Sequence, residues 1–253
     1  MYGPACGSSR VGYKRSNDAY MSTINKLKRP IKGCLSILKR TFLGDPDSFL
    51  RHCFGVIHVG ANEGQERAFY ARLGLRVIWV EPIPEVFARL ESNIQSYPAQ
   101  SAYQCLLTEH DGTQYDLHIA SNSGASSSIL KFAKHSELWP EIKMDRTIRL
   151  PGKTLMRLID EYEIDIMRYD ALVLDTQGSE LGILRGSSPI LQYFKFIKVE
   201  VPDFESYDGC CTLPEMSHFM QQAGFDEYAR NRFKHKPGVG SYYDMVYERR
   251  KPA

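Results

Sequence analysis

The 253-residue chain lacks the features that mark several classes of protein. No apolar run reaches the roughly 18 residues that a membrane-spanning helix needs. No apolar stretch followed by a small-residue cleavage site occurs near the N-terminus, so we expect no signal peptide. The net charge is only +2, whereas a dedicated nucleic-acid-binding domain is usually far more basic. These absences favour a cytoplasmic globular protein that does not act on nucleic acid.

Metal-binding cysteine motifs are also missing. None of the six cysteines has C-x-x-C spacing, and no His or Cys pattern indicates a transition-metal site. Cys53 and Cys105 flank apolar runs and are expected to behave as small buried side chains. The adjacent Cys210 and Cys211 fit a redox pair or, more commonly, two loop thiols. Since hydrophobic and charged residues make up an ordinary 43% and 25%, the chain fits one well-buried α/β domain.

A stretch of alternating apolar and glycine-bearing segments organises this domain. The apolar run Val56–Val59 ends in Gly60-Ala-Asn-Glu-Gly64, and a second run, Val77–Val80, ends in Glu81. Strand, glycine turn, helix, strand and acid form the first half of a nucleotide-binding βαβ unit. Glu81 follows Gly60 by about 20 residues, the spacing of the acid that binds ribose hydroxyls in such units.

The glycine turn indicates which nucleotide would bind. It departs from the G-x-G-x-x-G pattern that brings a helix N-terminus to a pyrophosphate. Glu63 and Glu66 would repel phosphate groups. A ligand with a ribose and no phosphate fits better, which points to S-adenosylmethionine. A lone Gly60-x-x-x-Gly64 equally fits a purely structural turn.

Further strands are predicted from the remaining apolar runs. We expect strands at Ser101–Leu107, Ala171–Leu174 and Phe194–Val199, and an irregular segment at Lys131–Lys153. Parallel strands present their carboxyl ends to the ligand crevice. The residues that follow these strands are therefore predicted at the crevice, namely Leu107 and Thr108 near an adenine, and Asp175 and Glu200. A final antiparallel pair is predicted at Phe225–Ala229 and Ser241–Tyr247.

The chain before this domain has a different pattern. Residues 1–45 are predicted to form a basic arm, separate from a domain at 46–253. Apolar residues recur at three- and four-residue steps within Thr23–Phe42, among several lysines and arginines. Such an amphipathic helix could contact an anionic membrane or a partner through residues 23–42. The commoner alternative is a helix that packs its apolar side on the domain with its lysines in solvent.

Four stretches of the sequence resemble the FkbM-type family of S-adenosylmethionine-dependent methyltransferases. They occur in family order within residues 54–247: Val56–Gly64, Val77–Pro82, Ser126–Leu130 and Leu174–Leu181. The last, with Asp-x-x-Gly-x-Glu, is the most specific. The resemblance implies a Rossmann-like, mostly parallel seven-stranded sheet with helices on both faces and an antiparallel C-terminal hairpin.

The resemblance also implies an activity and a set of site residues. The activity is O-methylation of a free hydroxyl on a sugar, glycan or other natural product. Asp175 would lie near the amino-acid part of the cofactor or the transferred methyl group. The other expected cofactor contacts are Gly60, Ala61, Asn62, Gly64, Glu81, Pro82, Leu107 and Thr108. The chain departs from many relatives at His58, where aspartate is expected; His58 fits a neutral core position or a pocket contact.

Hydroxyl methylation requires a base, and several acids are candidates. Asp175, Glu180 and Glu200 are all predicted at or near strand ends, and His118 and His135 are weaker candidates. Glu180 could instead cap its helix, and Glu200 could accept bonds from backbone amides. A pair of these acids could also hold a divalent cation, although no metal is predicted. Two other functions stay open: a nucleic-acid or protein methyltransferase, and a docking module without turnover.

Overall fold

Short buried strands alternate with amphipathic helices throughout the computed structural model, which describes residues 47–251. The predicted arm at residues 1–45, including the amphipathic segment 23–42, lies outside the described residues. The division of the chain into arm and domain therefore stays a prediction.

Ten strands within residues 47–251 form two sheets. They are β1 (Gly55–Val59), β2 (Arg76–Val80), β3 (Gln100–Tyr103), β4 (Leu106–Leu107), β5 (Gln114–Ala120), β6 (Met144–Lys153), β7 (Ala171–Leu174), β8 (Phe196–Pro202), β9 (Phe225–Lys236) and β10 (Gly240–Arg249). The main sheet has the order β3-β2-β1-β7-β8-β10-β9. Its first five strands run parallel, and β10 inserts antiparallel between β8 and β9. The predicted seven-stranded, mostly parallel sheet with an antiparallel C-terminal hairpin is confirmed.

Helices cover both faces of the main sheet, because successive residues of each strand point to opposite faces. The helices are α1 (Arg67–Arg72), α2 (Pro84–Ile94), α3 (His135–Leu138), α4 (Leu155–Glu161), α5 (Glu180–Gly186) and α6 (Leu213–Gln222). Tyr70 of α1 and Leu90 of α2 pack on one face, in a cluster with Trp79. Helices α4, α5 and α6 pack their apolar residues on the other face.

Three helices begin at residues that suit a helix N-terminus. Thr154 accepts the backbone N–H of Arg157 and caps α4. Pro84 begins α2 at a position where no intrahelical N–H is required. Thr212 and Glu215 form a reciprocal capping box at the start of α6.

Two predictions about secondary structure are wrong. The third strand ends at Tyr103 and not at Leu107, because the chain leaves the main sheet and Leu106–Leu107 pairs with β6 instead. The segment predicted as irregular contains β6, which pairs antiparallel with β5 over seven residues of β5. Most residues of β6 are exposed or half-buried, and Pro151 and Gly152 interrupt its pattern, so no apolar run marks it.

Candidate active site

The carboxyl ends of β1, β2 and β7 meet at the glycine turn. The Gly60 backbone N–H donates to the Val80 carbonyl (3.0 Å), and the Asp175 N–H donates to the Val59 carbonyl (3.0 Å). Gly60 has φ +79°, and a Cβ built on it would lie 1.8 Å from the Asp175 carbonyl oxygen. Only glycine therefore allows the two strand ends to approach this closely.

Glu81 closes the same turn from the end of β2. Its Oε2 accepts the Asn62 N–H (2.9 Å), and its Oε1 accepts the Ile83 N–H (3.0 Å). The side chain is buried, and burial raises its pKa to about 7 against the lowering effect of these two bonds. Each oxygen keeps a further lone pair, which leaves acceptor capacity for a pair of ribose hydroxyls.

The other predicted residues of the turn have structural contacts. Gly64 is buried, and a Cβ on it would lie 2.7 Å from Cδ1 of Leu90 in α2. Ala61 is buried within the cluster on that face of the sheet. The Asn62 side chain accepts the Glu63 N–H (2.9 Å), which stabilises the left-handed conformation of Asn62 at φ +45°. Pro82 is half-buried after Glu81.

Asp175 lies at the carboxyl end of β7, directly beside this turn. Its side chain is open to solvent, yet its pKa is raised because the surrounding protein desolvates the carboxylate. The hydrogen bond that Gln177 donates counteracts this rise, and the charge of Glu66 adds to it. A carboxylate that is accessible and poorly solvated is typical of the floor of a crevice.

Gln177 connects Asp175 to other parts of the chain. Its Nε2 donates to Asp175 Oδ1 (2.6 Å) and more weakly to Glu200 Oε1 (3.4 Å). Its Oε1 accepts the Tyr207 hydroxyl (2.7 Å), and its backbone carbonyl accepts the Ser128 hydroxyl (2.7 Å). Gln177 has φ +55°, which is uncommon for a side chain other than glycine, asparagine or aspartate. The sequence analysis missed Gln177 and Tyr207 as site residues.

Glu180 stabilises the turn that carries Asp175. Its buried carboxylate accepts the backbone N–H of Thr176 (2.8 Å) and that of Gly178 (2.9 Å). Burial raises its pKa to about 7, although these bonds lower it. Both oxygens are thus engaged by the chain itself, which agrees with a role in shaping the turn.

Glu200 lies beside Asp175 on the adjacent strand. It is half-buried, and burial together with the charges of Asp175 and Asp244 raises its pKa well above the ordinary value. Asp244 is its cross-strand neighbour on β10. The buried Lys198 bonds Asp244 (3.5 Å) and Asp47 (2.6 Å).

A serine-rich segment, residues 120–130, lies over the crevice. The Asn62 side-chain amide approaches the Ser123 carbonyl (3.4 Å), and a Cβ on Gly124 would touch Ile83 at 3.0 Å. At its far end Ser128 bonds Gln177 as described above. The segment therefore spans from the glycine turn to the turn after β7, as a lid would.

Leu107 and Thr108 do not follow a strand of the main sheet. Leu107 is buried in β4, and the Thr108 hydroxyl donates to the His110 carbonyl (3.0 Å). Leu107 pairs with β6 in the small sheet, and the N–H of the next residue, Thr108, donates to the Lys153 carbonyl (2.9 Å). Their contact with an adenine stays a prediction.

The three histidines considered above differ in environment. His58 is buried, with Nδ1 3.0 Å from the Tyr70 hydroxyl, and burial lowers its pKa to about 4. His135 is also buried, stacked 4.1 Å from the Phe132 ring, and burial lowers its pKa to about 4. His118 is half-buried and bonds Thr147 (2.9 Å). His58 thus has the contacts of a core residue.

The donor set fits S-adenosylmethionine. Glu81 offers acceptors suited to a ribose. Within residues 47–251, Arg67 donates to the Gly64 carbonyl, and no lysine or arginine has a hydrogen bond to the turn that is suited to holding a phosphate. Beside Gly60, the Thr176 hydroxyl is buried without a hydrogen-bond partner in the described part of the chain. An unpaired buried hydroxyl is costly unless a ligand or water satisfies it.

Residues 47–251 contain neither a candidate metal site nor a candidate membrane span. No group of three or more His, Cys, Asp or Glu side chains there could hold a metal ion. No helix there combines the length and apolarity required to cross a bilayer. Cys210 and Cys211 are both free thiols, as are Cys53 and Cys105.

Solved structures with a similar fold include several methyltransferases. A 1,6-didemethyltoxoflavin-N1-methyltransferase from Burkholderia thailandensis, with bound S-adenosylhomocysteine, is 14% identical, with a TM-score of 0.44 over 96% of this chain and 94% of that chain. A precorrin-6y C5,15-methyltransferase from Geobacter metallireducens is 10% identical, with a TM-score of 0.40 over 78% and 81%. TrmK from M. capricolum is 6% identical, with a TM-score of 0.44 over 78% of this chain and 63% of that chain. Likenesses at this level carry no functional argument.

The family is established by sequence. Comparison with curated proteins gave no match. Residues 58–227, however, match the family described as "Methyltransferase FkbM domain", and this region includes the glycine turn, Glu81, Asp175 and Glu200. The chain therefore belongs to the FkbM methyltransferase family and is an enzyme whose cofactor is S-adenosylmethionine.

Proposed function

We propose that the enzyme methylates a hydroxyl group of a sugar, glycan or other natural product. The observation that carries the proposal is the accessible Asp175 carboxylate at the end of β7, next to the cofactor turn. A hydroxyl must lose its proton when it is methylated, so an O-methyltransferase needs a base at this position.

In this proposal each residue has a separate task. Glu81 accepts hydrogen bonds from the ribose, and Gly60 and Asn62 form the turn beneath the methionine end. When bound, S-adenosylmethionine would supply an electrophilic methyl group, with S-adenosylhomocysteine as the leaving group. Asp175 takes the proton of the acceptor hydroxyl as the new carbon–oxygen bond forms, and passes it to solvent. Glu180 holds the turn of Asp175 through the Thr176 and Gly178 amides.

Glu200 is the second candidate base. It is less accessible than Asp175, and it faces two other acids, Asp175 and Asp244, which favour its protonated form. A protonated carboxyl cannot accept the acceptor's proton. Asp175 is therefore the first choice.

Methylation of a base or a protein side chain is the alternative activity. An amino group needs less help from a base, and the turn Asp175-Thr-Gln-Gly178 lacks the Pro-Pro-aromatic element that holds a flipped base in amino-methylating enzymes. Both features favour a hydroxyl acceptor. Action in the cytoplasm, without nucleic acid, is part of the same proposal.

Transfer of a labelled methyl group tests this assignment. The full-length enzyme is incubated with S-adenosylmethionine carrying a ¹³C-methyl group and a panel of hydroxylated glycans and natural products. We expect a product whose methyl carbon resonates as an O–CH₃ group in NMR spectra. Asp175→Asn should reduce its formation by roughly two orders of magnitude or more, the usual contribution of a general base.

Asp160→Asn, an exposed acid on α4, is the matched control and should keep full activity. Labelled N–CH₃ product, or full activity of Asp175→Asn with an O–CH₃ product, would contradict the proposal.

A further inference from the structure

Three carboxyls lie side by side on the face of the main sheet that carries His58. Leu174 of β7 aligns with Val199 of β8, so the next residues, Asp175 and Glu200, are neighbours. Glu200 in turn aligns with Asp244 of β10. Such a row of like charges at strand spacing is unfavourable unless cations or protons compensate it.

The described residues provide one cation for this row. Lys198 bonds Asp244 (3.5 Å) and also Asp47 (2.6 Å), so its charge is already shared between two acids. Asp175 and Glu200 have no ion pair within residues 47–251. The nearby His58 is buried and its pKa is lowered to about 4, so it is neutral near pH 7 and supplies no charge.

A neutral amide joins Asp175 and Glu200 instead. Gln177 Nε2 donates to Asp175 (2.6 Å) and approaches Glu200 (3.4 Å). The orientation of this amide is fixed by its other end, because the Tyr207 hydroxyl donates to Oε1 (2.7 Å). The Ser128 hydroxyl holds the backbone of Gln177 in its left-handed conformation. Side chains from two other segments, Tyr207 and Ser128, thus hold the Gln177 amide where it contacts both acids.

We propose that Gln177 is a positioning residue that holds Asp175 and Glu200 as a pair carrying one proton between turnovers. Glu200 carries the proton and Asp175 is ionised, because the stronger donor contact of Gln177 goes to Asp175. The inference rests on the proposed function, in which Asp175 accepts the hydroxyl proton of the acceptor. During turnover Asp175 gains that proton and releases it to solvent, while Glu200 keeps its own throughout.

The electrostatics of the surrounding elements agree with this division. The pKa of Glu200 is raised by burial and by the charges of Asp175, Asp244 and Glu180. The pKa of Asp175 is raised because the surrounding protein desolvates it and because Glu66 and Asp244 lie nearby, whereas the hydrogen bond from Gln177 lowers it. The environment therefore separates the pKa values of the two carboxyls, and acids with separated pKa values can serve different roles in a site.

Carboxyl titration by NMR tests the pair without cofactor or acceptor. The full-length protein is labelled with ¹³C in its Asp and Glu carboxyls, and Asp175→Asn and Glu200→Gln assign the two signals. In the wild type we expect Glu200 to titrate well above Asp175. Gln177→Ala should move the Asp175 midpoint upward by roughly one pH unit, the effect of losing a charge-assisted hydrogen bond. Tyr207→Phe should move it in the same direction by less, because the amide is then free to turn.

Glu200→Gln provides the sharpest comparison. If Glu200 already holds its proton while Asp175 titrates, replacing it by a neutral amide leaves the Asp175 midpoint nearly unchanged. If both acids are ionised, the substitution removes a negative neighbour and lowers that midpoint markedly. The latter result, or an Asp175 midpoint that Gln177→Ala does not move, would overturn the inference.

Matched controls separate these effects from misfolding. Gln192→Ala and Tyr193→Phe change the same residue types at exposed positions in the turn before β8 and should leave both midpoints in place. Tyr207→Phe keeps the ring that packs on Phe132 (5.5 Å) and His135 (5.2 Å). The titration is independent of the activity of Asp175→Asn, so failure of the pair and failure of the proposed base are distinguishable.

Discussion

At the scale of single residues, Glu81 combines burial with a binding role. Its pKa of about 7 means that the carboxyl is largely protonated at pH 6 and largely ionised at pH 8 in the free enzyme. Ribose hydroxyls donate best to the ionised form, so a proton on Glu81 competes with the cofactor. Affinity for S-adenosylhomocysteine should therefore rise about tenfold from pH 6 to pH 8. Titration calorimetry at several pH values measures this directly.

The variant Glu81→Gln identifies the source of that dependence. It should bind S-adenosylhomocysteine more weakly by roughly 2 kcal/mol or more, because charge-assisted bonds are lost. Its affinity should also lose the pH dependence of the wild type. Glu91→Gln, an exposed position on α2, is the control and should behave as the wild type. An equal pH dependence in Glu81→Gln would assign the proton to another group.

The sequence predicted some site residues and missed others for a physical reason. Glu81 and Asp175 follow apolar runs directly, and parallel strands deliver such residues to one edge of the sheet. Tyr207 lies in a loop after β8 and reaches Gln177 across 30 positions of sequence. Gln177 was within a recognised motif, but its importance comes from a positive φ and from partners that no local pattern specifies.

At the scale of elements, the serine-rich segment (residues 120–130) joins two turns through a few hydrogen bonds. Ser128 is buried; its hydroxyl donates to the Gln177 carbonyl (2.7 Å) and accepts the Leu130 N–H (3.0 Å). Ser128→Ala leaves both groups without this partner and should lower the free energy of unfolding by about 1–3 kcal/mol. Amide hydrogen exchange should accelerate most within residues 120–130, since the segment loses its tie to the β7 turn.

The exposed Ser136 of α3 is the matched control for that substitution. Ser136→Ala should leave the exchange of residues 120–130 unchanged. Exchange that stays slow in Ser128→Ala would show that other contacts, such as that of the Asn62 amide with the Ser123 carbonyl, keep the segment in place.

Burial explains which elements were predictable. Strands β1 and β7 are buried along their whole length and appear in the sequence as continuous apolar runs. Strand β6 is exposed at alternate positions and carries arginines, so its assignment depends on pairing with β5, which lies far away in sequence. The third strand was extended too far because Leu106–Leu107 continues its apolar pattern while pairing in the other sheet.

At the scale of the whole molecule, the buried histidines and the buried glutamates change stability in opposite directions as the pH changes. The pKa values of His58 and His135 are lowered to about 4, so stability is lost as pH falls from about 6.5 to 4. The pKa values of Glu81 and Glu180 are raised to about 7, so stability is lost as pH rises from about 4.5 to 7. The two effects overlap between about pH 4.5 and 6.5, where we expect them to cancel in part.

Replacing one of the two histidines should remove its part of the loss of stability at acid pH. His135 lies among aromatic rings, with Trp139 at 4.8 Å, and its Nδ1 is buried without a hydrogen-bond partner in the described residues. His135→Phe keeps a ring there and abolishes the titration. The variant should therefore gain stability over wild type at low pH: the difference in free energy of unfolding, variant minus wild type, should be about 2–3 kcal/mol larger at pH 4.5 than at pH 7.5. Urea unfolding at both pH values gives this difference, in which any constant packing cost of the larger ring cancels.

His110→Phe, at an exposed position, controls for the substitution itself. A difference that does not change with pH would mean that His135 binds its proton equally in the folded and unfolded chain, and the acid-side loss of stability would then have to come from other groups.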